Sequence, residues 1–198
     1  PGEYDLAGVI VGMVGKHDIL DGSKVSEGDC LLGLASTGLH TNGYSLARKL
    51  VFRTAGLSPD DIIPGTGQSA ADVLLAVHRS YVPSMLPLLK HKRLHAMAHI
   101  TGGGFPGNVN RSLPGHLDAV LNLDSWEIPP LFSFLADMGK LSENELYRTF
   151  NMGIGMVLFV DTREAAGIAE SLRQSGEKVF EIGRVESGSG KVRLVHGI

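Results

Sequence analysis

Three stretches of this chain set glycine beside side chains that can bond a ligand. The first is Ala35-Ser36-Thr37-Gly38-Leu39-His40-Thr41-Asn42-Gly43. Its one titrating group is His40, and an imidazole near pKa 6.5 can move protons at neutral pH. Ser36, Thr37, Thr41 and Asn42 add neutral hydrogen-bonding groups, and backbone amides at the start of the following helix can meet an anion. A helix cap by Thr41 or Asn42, with His40 packed beside it, accounts for the same residues nearly as well. The second stretch is Ala98-His99-Ile100-Thr101-Gly102-Gly103-Gly104, followed by Asn108 and Arg111. Successive glycine N–H groups can wrap an oxyanion, although a tight turn is the simpler reading of a glycine triplet. His99 on its own reads as a hydrogen-bonded interior histidine. The third is Arg148-Thr149-Phe150-Asn151-Met152-Gly153-Ile154-Gly155. The Asn151 amide can both donate and accept, but a strand entry with Asn serving local backbone explains it as well.

Other chemistries lack their signatures. No Gly-x-x-x-x-Gly-Lys-Ser/Thr loop occurs, and no dinucleotide fingerprint follows a strand. The eight histidines are scattered without metal-ligand spacing, so no metal site is expected from this chain's own residues.

The elements that must position these stretches can be read from pattern. Residues 7–14 predict a strand buried on both faces, and Cys30 to Ala35 a second. Residues 44–55 predict a helix, with Ala47, Leu50, Val51 and Thr54 on one side and Gly56 as its stop. Ser58-Pro59-Asp60-Asp61 is a short capped turn and 64–67 a loop. Residues 70–90 predict two helical pieces, the second begun or kinked by Pro83. A strand over 95–100 leads to the glycine triplet and a helix reaching Leu113; Leu117 to Leu123 is another strand. Pro129-Pro130 opens a helix that stops at Gly139, and Ser142-x-x-Glu145 is a capping box. Gly153 to Val160 predicts a further buried strand. Asp161 caps a helix with Ala165, Ile168, Ala169 and Leu172 as its apolar stripe, ending at Gly176. Residues 178–185 and 191–195 predict a closing hairpin, with Val192 and Leu194 facing in and Lys191 and Arg193 out. Strands and helices alternate irregularly, so the fold class is α+β, a mixed sheet flanked by helices.

Bulk composition bounds the function. The 198 residues suit one sizeable domain. A net charge of −3 supplies no broad basic field for nucleic acid or an anionic membrane. A single cysteine, Cys30, excludes an internal disulfide and fits a reducing compartment; its apolar neighbours mark it as a buried thiol. The apolar runs are too short to span a bilayer, so a soluble cytoplasmic protein is expected. Glycine is the outlier, with 26 residues, roughly twice the usual share of about 7%, which points to loops where backbone closely approaches something. The opening Pro1-Gly2-Glu3-Tyr4-Asp5 runs almost at once into an apolar stretch, as expected of an excised or processed piece.

Taken in order, the motifs resemble one family. Gly2-Glu3-Tyr4-Asp5-Leu6-Ala7-Gly8, Asp21-Gly22-Ser23-Lys24-Val25, Gly38-Leu39-His40-Thr41-Asn42-Gly43-Tyr44-Ser45-Leu46, Ala98 to Gly104, and Tyr147-Arg148-Thr149-Phe150-Asn151-Met152-Gly153 are similar to aminoimidazole ribonucleotide synthetases. The similarity extends over nearly the whole chain, including Ser125-Trp126 and Pro129. That family often has Ser-Ser-Gly and His-Ser-Asn where this chain has Ser36-Thr37-Gly38 and His40-Thr41-Asn42, so the hydroxyls persist. Its usual acidic residue shortly after the glycine triplet is Gly107 here.

The resemblance implies ATP-driven ring closure of formylglycinamidine ribonucleotide to aminoimidazole ribonucleotide. An amide oxygen is phosphorylated, an internal nitrogen attacks the carbon, and phosphate leaves; since both reacting ends share one molecule, positioning supplies much of the rate. It further implies that residues 1–198 are the C-terminal domain, with 1–6 the tail of an interdomain segment. An absent N-terminal domain would bind most of the ATP and Mg2+, and the whole would be a homodimer. His40 is the implied proton-transfer residue. Ser36, Thr37, Asn42, Gly102, Gly103, Gly104, Thr149 and Asn151 are the implied substrate-binding set. Alternatives are a superfamily relative with another substrate, or a module that only binds nucleotide or dimerises.

Overall fold

The structure, a computed structural model, describes residues 7–197; the expected interdomain tail 1–6 lies outside them. Six strands form a single mixed sheet among the described residues: β1 (Cys30–Ala35), β2 (Leu94–His99), β3 (Leu117–Asn122), β4 (Ile154–Val160), β5 (Val179–Ser187) and β6 (Val192–Val195). Their spatial order is β2-β4-β1-β5-β3-β6. Every neighbouring pair is antiparallel except β3 and β6, which run parallel.

β1 and β4 are buried on both faces, while β2 turns His95, Met97 and His99 to a half-buried or exposed face. Alternation divides the side chains of β1 and β4 between two cores. Leu31, Val157 and Phe159 point to one, where Phe105, Trp126, Phe132 and Phe150 pack. Cys30, Leu32, Leu34, Leu158 and Val160 point to the other, beneath Ile168 and Leu172. Helices α1 (Tyr44–Arg48, continued by a π-helical turn Lys49–Thr54), α4 (Gly104–Val109), α5 (Pro130–Gly139) and α6 (Glu143–Thr149) cover the first core. Helices α3 (Val82–Met85) and α7 (Thr162–Gln174) cover the second. Helix α2 (Ala70–Leu74) adds Ala70, Val73 and Leu74 to the first.

Local signals in the sequence act as expected. Pro130 opens α5 and Gly139 is its last residue. Ser142 and Glu145 form the capping box of α6, and Asp161 accepts the Arg163 N–H at the start of α7. Gly56, at φ 69°, follows the π-helical turn. Cys30 is a buried free thiol, its pKa pushed up to about 12 chiefly by burial.

Two expectations fail. Residues 7–14 form no strand; Ile10 is 98% and Met13 100% exposed. An apolar run signals burial only where a partner exists, and no other described segment lies against it to form a ladder. The closing hairpin is also absent, because β6 does not pair with β5: β3 lies between them. β6 instead matches Ala119–Asn122 of β3 in parallel. A polar turn between two strands permits a hairpin without selecting the neighbour. The expected facing of β6 does hold, with Val192 and Leu194 packed on the core and Lys191 and Arg193 exposed.

Candidate active site

Strand order brings the three glycine-bearing stretches together. β4 lies between β2 and β1 and is antiparallel to both. The C-terminal ends of β1 and β2 and the N-terminal end of β4 therefore share one edge of the sheet, and the loops at 36–43, 100–104 and 149–153 meet there. Asn151 joins two of them: its Oδ1 accepts from Ser36 Oγ at 3.0 Å and from the Gly153 N–H at 2.9 Å. Its Nδ2 donates to the Gly38 carbonyl at 2.8 Å. Thr149 and Phe150 pack on Gly43, and Asn42 lies beside Gly102.

His40 sits at the centre of this junction, only 3% exposed. Both His40 (φ 49°) and Thr41 (φ 65°) are left-handed, a conformation that costs a non-glycine residue energy and is concentrated at functional sites. Gly43 is the helix N-cap and no side chain caps α1, so the capping explanation of Thr41 and Asn42 does not hold. Asn42 Nδ2 instead donates to the His40 carbonyl at 2.8 Å, securing the corner. The His40 ring stacks on His78, centroids 4.1 Å apart, and meets Tyr81 edge-on. Nε2 accepts the Thr37 N–H at 3.0 Å and, more distantly, the Arg79 N–H at 3.4 Å. Nδ1 has no partner among the described residues. Burial, then the nearby charges of His78, His99 and Arg79, pull the His40 pKa down to about 4. His40 is therefore neutral at pH 7, and its Nε2 contacts place its proton on Nδ1.

Gly155 makes room for this ring. A Cβ there would stand 2.7 Å from His40 Nδ1 and closer still to the Tyr81 hydroxyl. The glycine triplet is a turn followed by a short helix: the Gly104 N–H bonds the Thr101 carbonyl at 2.9 Å, and Gly102 and Gly103 stay exposed. Gly104, at φ 59°, lies so close to the Tyr147 carbonyl that no side chain fits. Asn108 ties the loop internally, donating to the Gly104 carbonyl at 2.7 Å and accepting from Thr101 Oγ1 at 2.9 Å.

Two clefts flank the junction. Ser36, Thr37 and Gly38 border one of about 250 Å³ against Pro129–Phe132. His78, Arg79, Tyr81, Met97, His99 and Met156 border another of about 390 Å³. Asn151, 2% exposed, lies beneath the surface with its amide engaged, so in this conformation it shapes the loops rather than facing a ligand. Sequence reading passed over His78, Arg79 and Tyr81 because nothing in their local pattern marks them. Their segment is anchored from afar: Glu177, 5% exposed, accepts from Arg79 Nε at 2.7 Å and Ser84 Oγ at 2.6 Å.

Residues 26–195 match the model of the AIR synthase related protein family, C-terminal domain. The chain belongs to this family. It is 50% identical to the phosphoribosylformylglycinamidine cyclo-ligase of Geobacter sulfurreducens, over 98% of this chain and 57% of that protein. It is 47% identical to that of Geotalea uraniireducens, over 98% and 56%. The chain thus spans little more than half the length of these curated relatives. Among solved structures, thiamine-monophosphate kinase from Stenotrophomonas maltophilia superposes with TM-score 0.63 at 16% identity, over 91% of this chain and 54% of that one. E. coli HypE does so with TM-score 0.56 at 19% identity, over 87% and 48%. At such identities the likeness establishes the fold of an AIR synthase related C-terminal domain, a mixed sheet with helices. None of its three junction loops (35–43, 98–104 and 147–153) carries a carboxylate. These loops therefore offer no anionic ligand for Mg2+, and no magnesium-dependent step is assigned to their residues.

Proposed function

We propose that the chain is the C-terminal part of a phosphoribosylformylglycinamidine cyclo-ligase, working in the cytoplasm as a homodimer. The whole polypeptide closes the imidazole ring of formylglycinamidine ribonucleotide with ATP, which the portion of the protein beyond this chain holds together with Mg2+. The observation that carries this reading is the meeting of the three loops at one sheet edge, in a chain half identical to enzymes of that name. The backbone of exposed Gly102 and Gly103, with Gly104 fixing the turn, suits a ribonucleotide phosphate. Ser36, Thr37, Asn42 and Thr149 supply neutral donors and acceptors around it, and Asn151 holds the 36–38 and 151–153 segments in register.

His40 handles the proton in its neutral form. With a pKa near 4 it is a weak base, but its Nδ1–H is an unsatisfied donor in a dry setting, where a hydrogen bond to developing negative charge is strong. A small outward shift of the strained 40–41 corner would present it to substrate. The test is an assay of the full-length polypeptide with formylglycinamidine ribonucleotide, ATP and Mg2+. Formation of aminoimidazole ribonucleotide is expected, with His40→Ala slower by roughly 100-fold or more and still folded. Failure of the wild type to form that product overturns the function; undiminished turnover by His40→Ala removes His40 from the chemistry. Residues 1–198 alone are expected to be inactive, since they hold only part of the cleft.

A further inference from the structure

His78 faces His99 across the mouth of the larger cleft, with ring centroids 5.3 Å apart and planes inclined at 55°. Two imidazoles bound to one tetrahedral ion, with nitrogen–metal distances of about 2.0–2.1 Å, place their centroids roughly 5 Å apart. One potential ligand nitrogen from each of His40, His78 and His99 lies within 4.8 Å of the other two. His40 also holds an unpartnered nitrogen. Among the described residues His40 Nδ1 is the buried side-chain polar atom without a partner, on a ring 97% withdrawn from solvent (3% exposed).

We propose that this cluster is a site for a divalent transition-metal ion of the zinc type, first taken by His78 and His99 and completed by His40 Nδ1. The proposal shares His40 with the ring-closing reading, because an ion on Nδ1 occupies the atom assigned there as donor; zinc binding by the variants tests the one and product formation by the full-length polypeptide the other. Three imidazoles with one open position is a familiar donor set for zinc. The supporting contacts are present. Thr37 Oγ1 lies 3.0 Å from His40 Nε2 and gives its own proton to the Val77 carbonyl at 2.7 Å. Binding at Nδ1 requires its proton to move to Nε2, which gives up the Thr37 and Arg79 N–H bonds and donates instead to Thr37 Oγ1. Arg79, the cationic side chain beside the cluster among the described residues, is neutralised by Glu177 at 2.7 Å. Met97 and Met156 wall the cleft, and Met156 is the cross-strand partner of His99, so the ion would sit against an apolar floor.

One movement is required. The His40 and His78 rings are stacked at 15°, and parallel rings cannot aim their in-plane lone pairs at one ion. Donor atoms of a tetrahedral site lie roughly 3.4 Å apart, so the cluster must also contract by about 1 Å. His78 is half-buried, and its recorded side-chain hydrogen bond is a long one, to Thr41 Oγ1 at 3.4 Å. It is the ring free to turn.

The test is calorimetric titration of the chelator-treated protein with zinc chloride, with cobalt(II) absorption reporting geometry. One ion per chain is expected, with visible bands of tetrahedral cobalt. His78→Gln and His99→Gln should each weaken binding at least tenfold, and His40→Gln should weaken it and alter the cobalt spectrum. His196→Gln is the control, because that exposed ring is held by Asp124 and Glu143 elsewhere. Thermal melting of each variant separates loss of ligand from loss of fold, and His78→Gln, at a cleft rim, is expected to melt like the wild type. No zinc binding by the wild type, or undiminished binding by folded His78→Gln, overturns the proposal.

Discussion

Residues 7–14 and 153–160 are nearly the same kind of sequence, Ala-Gly-Val-Ile-Val-Gly-Met-Val and Gly-Ile-Gly-Met-Val-Leu-Phe-Val. Their fates are opposite. The second supplies β4, between two antiparallel neighbours, with Ile154 and Val157 to Val160 fully buried. The first lies exposed, with Ile10 at 98%. Apolar character is a demand for burial, and meeting it depends on residues elsewhere in the chain that can form a ladder and two covering layers.

The contrast can be broken by substitution. Leu158→Ala opens a cavity under α7 and should cost about 2–5 kcal/mol of stability, measured by denaturant unfolding. Ile10→Ala should stay within about 0.5 kcal/mol. If Ile10→Ala costs as much as Leu158→Ala, the exposed placement of 7–14 is wrong.

Acid should act through the company β4 keeps. His40, packed over Gly155, has its pKa lowered from 6.5 to about 4. Between those values the unfolded chain binds more protons than the folded one, so stability falls as pH drops from about 6.5 to 4. The full effect is about 3 kcal/mol. His40→Gln should flatten that part of the stability–pH curve; an unchanged slope would show that His40 is already solvated. The glycines provide the finest comparison. Gly155→Ala drives a methyl into His40 and Tyr81 and should cost about 1–3 kcal/mol. Gly12→Ala, with nothing within 4 Å, should change stability by a few tenths at most.

What could be read from the sequence was what neighbours along the chain decide. The Ser142–Glu145 capping box, the Pro130 start and Gly139 end of α5, and the stripe of α7 each depend on residues within a turn or two. The fate of 7–14 and the separation of β5 from β6 depend on which distant segments offer a pairing edge and a covering layer, and residue order does not encode that locally. The candidate site divides the same way. Ser36 to Asn42, the glycine triplet and Asn151 stood out by composition, and the sheet does gather them. His78 did not, because Val77-His78-Arg79 has no periodicity or spacing that marks it. Its place follows from Arg79 and Ser84 bonding Glu177 more than ninety residues later. Composition likewise did not reveal that Asn151 would turn inward to hold loops.

The strand order also sets a timetable for synthesis. β1 ends at residue 35, yet both strands flanking it come from residues 154–160 and 179–187. At about 5–20 residues per second, the nascent chain carries this apolar ribbon unpaired for roughly 6–25 s before the first of its neighbours, β4, is complete. Contacts so distant along the chain make for slow closure, and over that interval chaperone capture competes directly with folding.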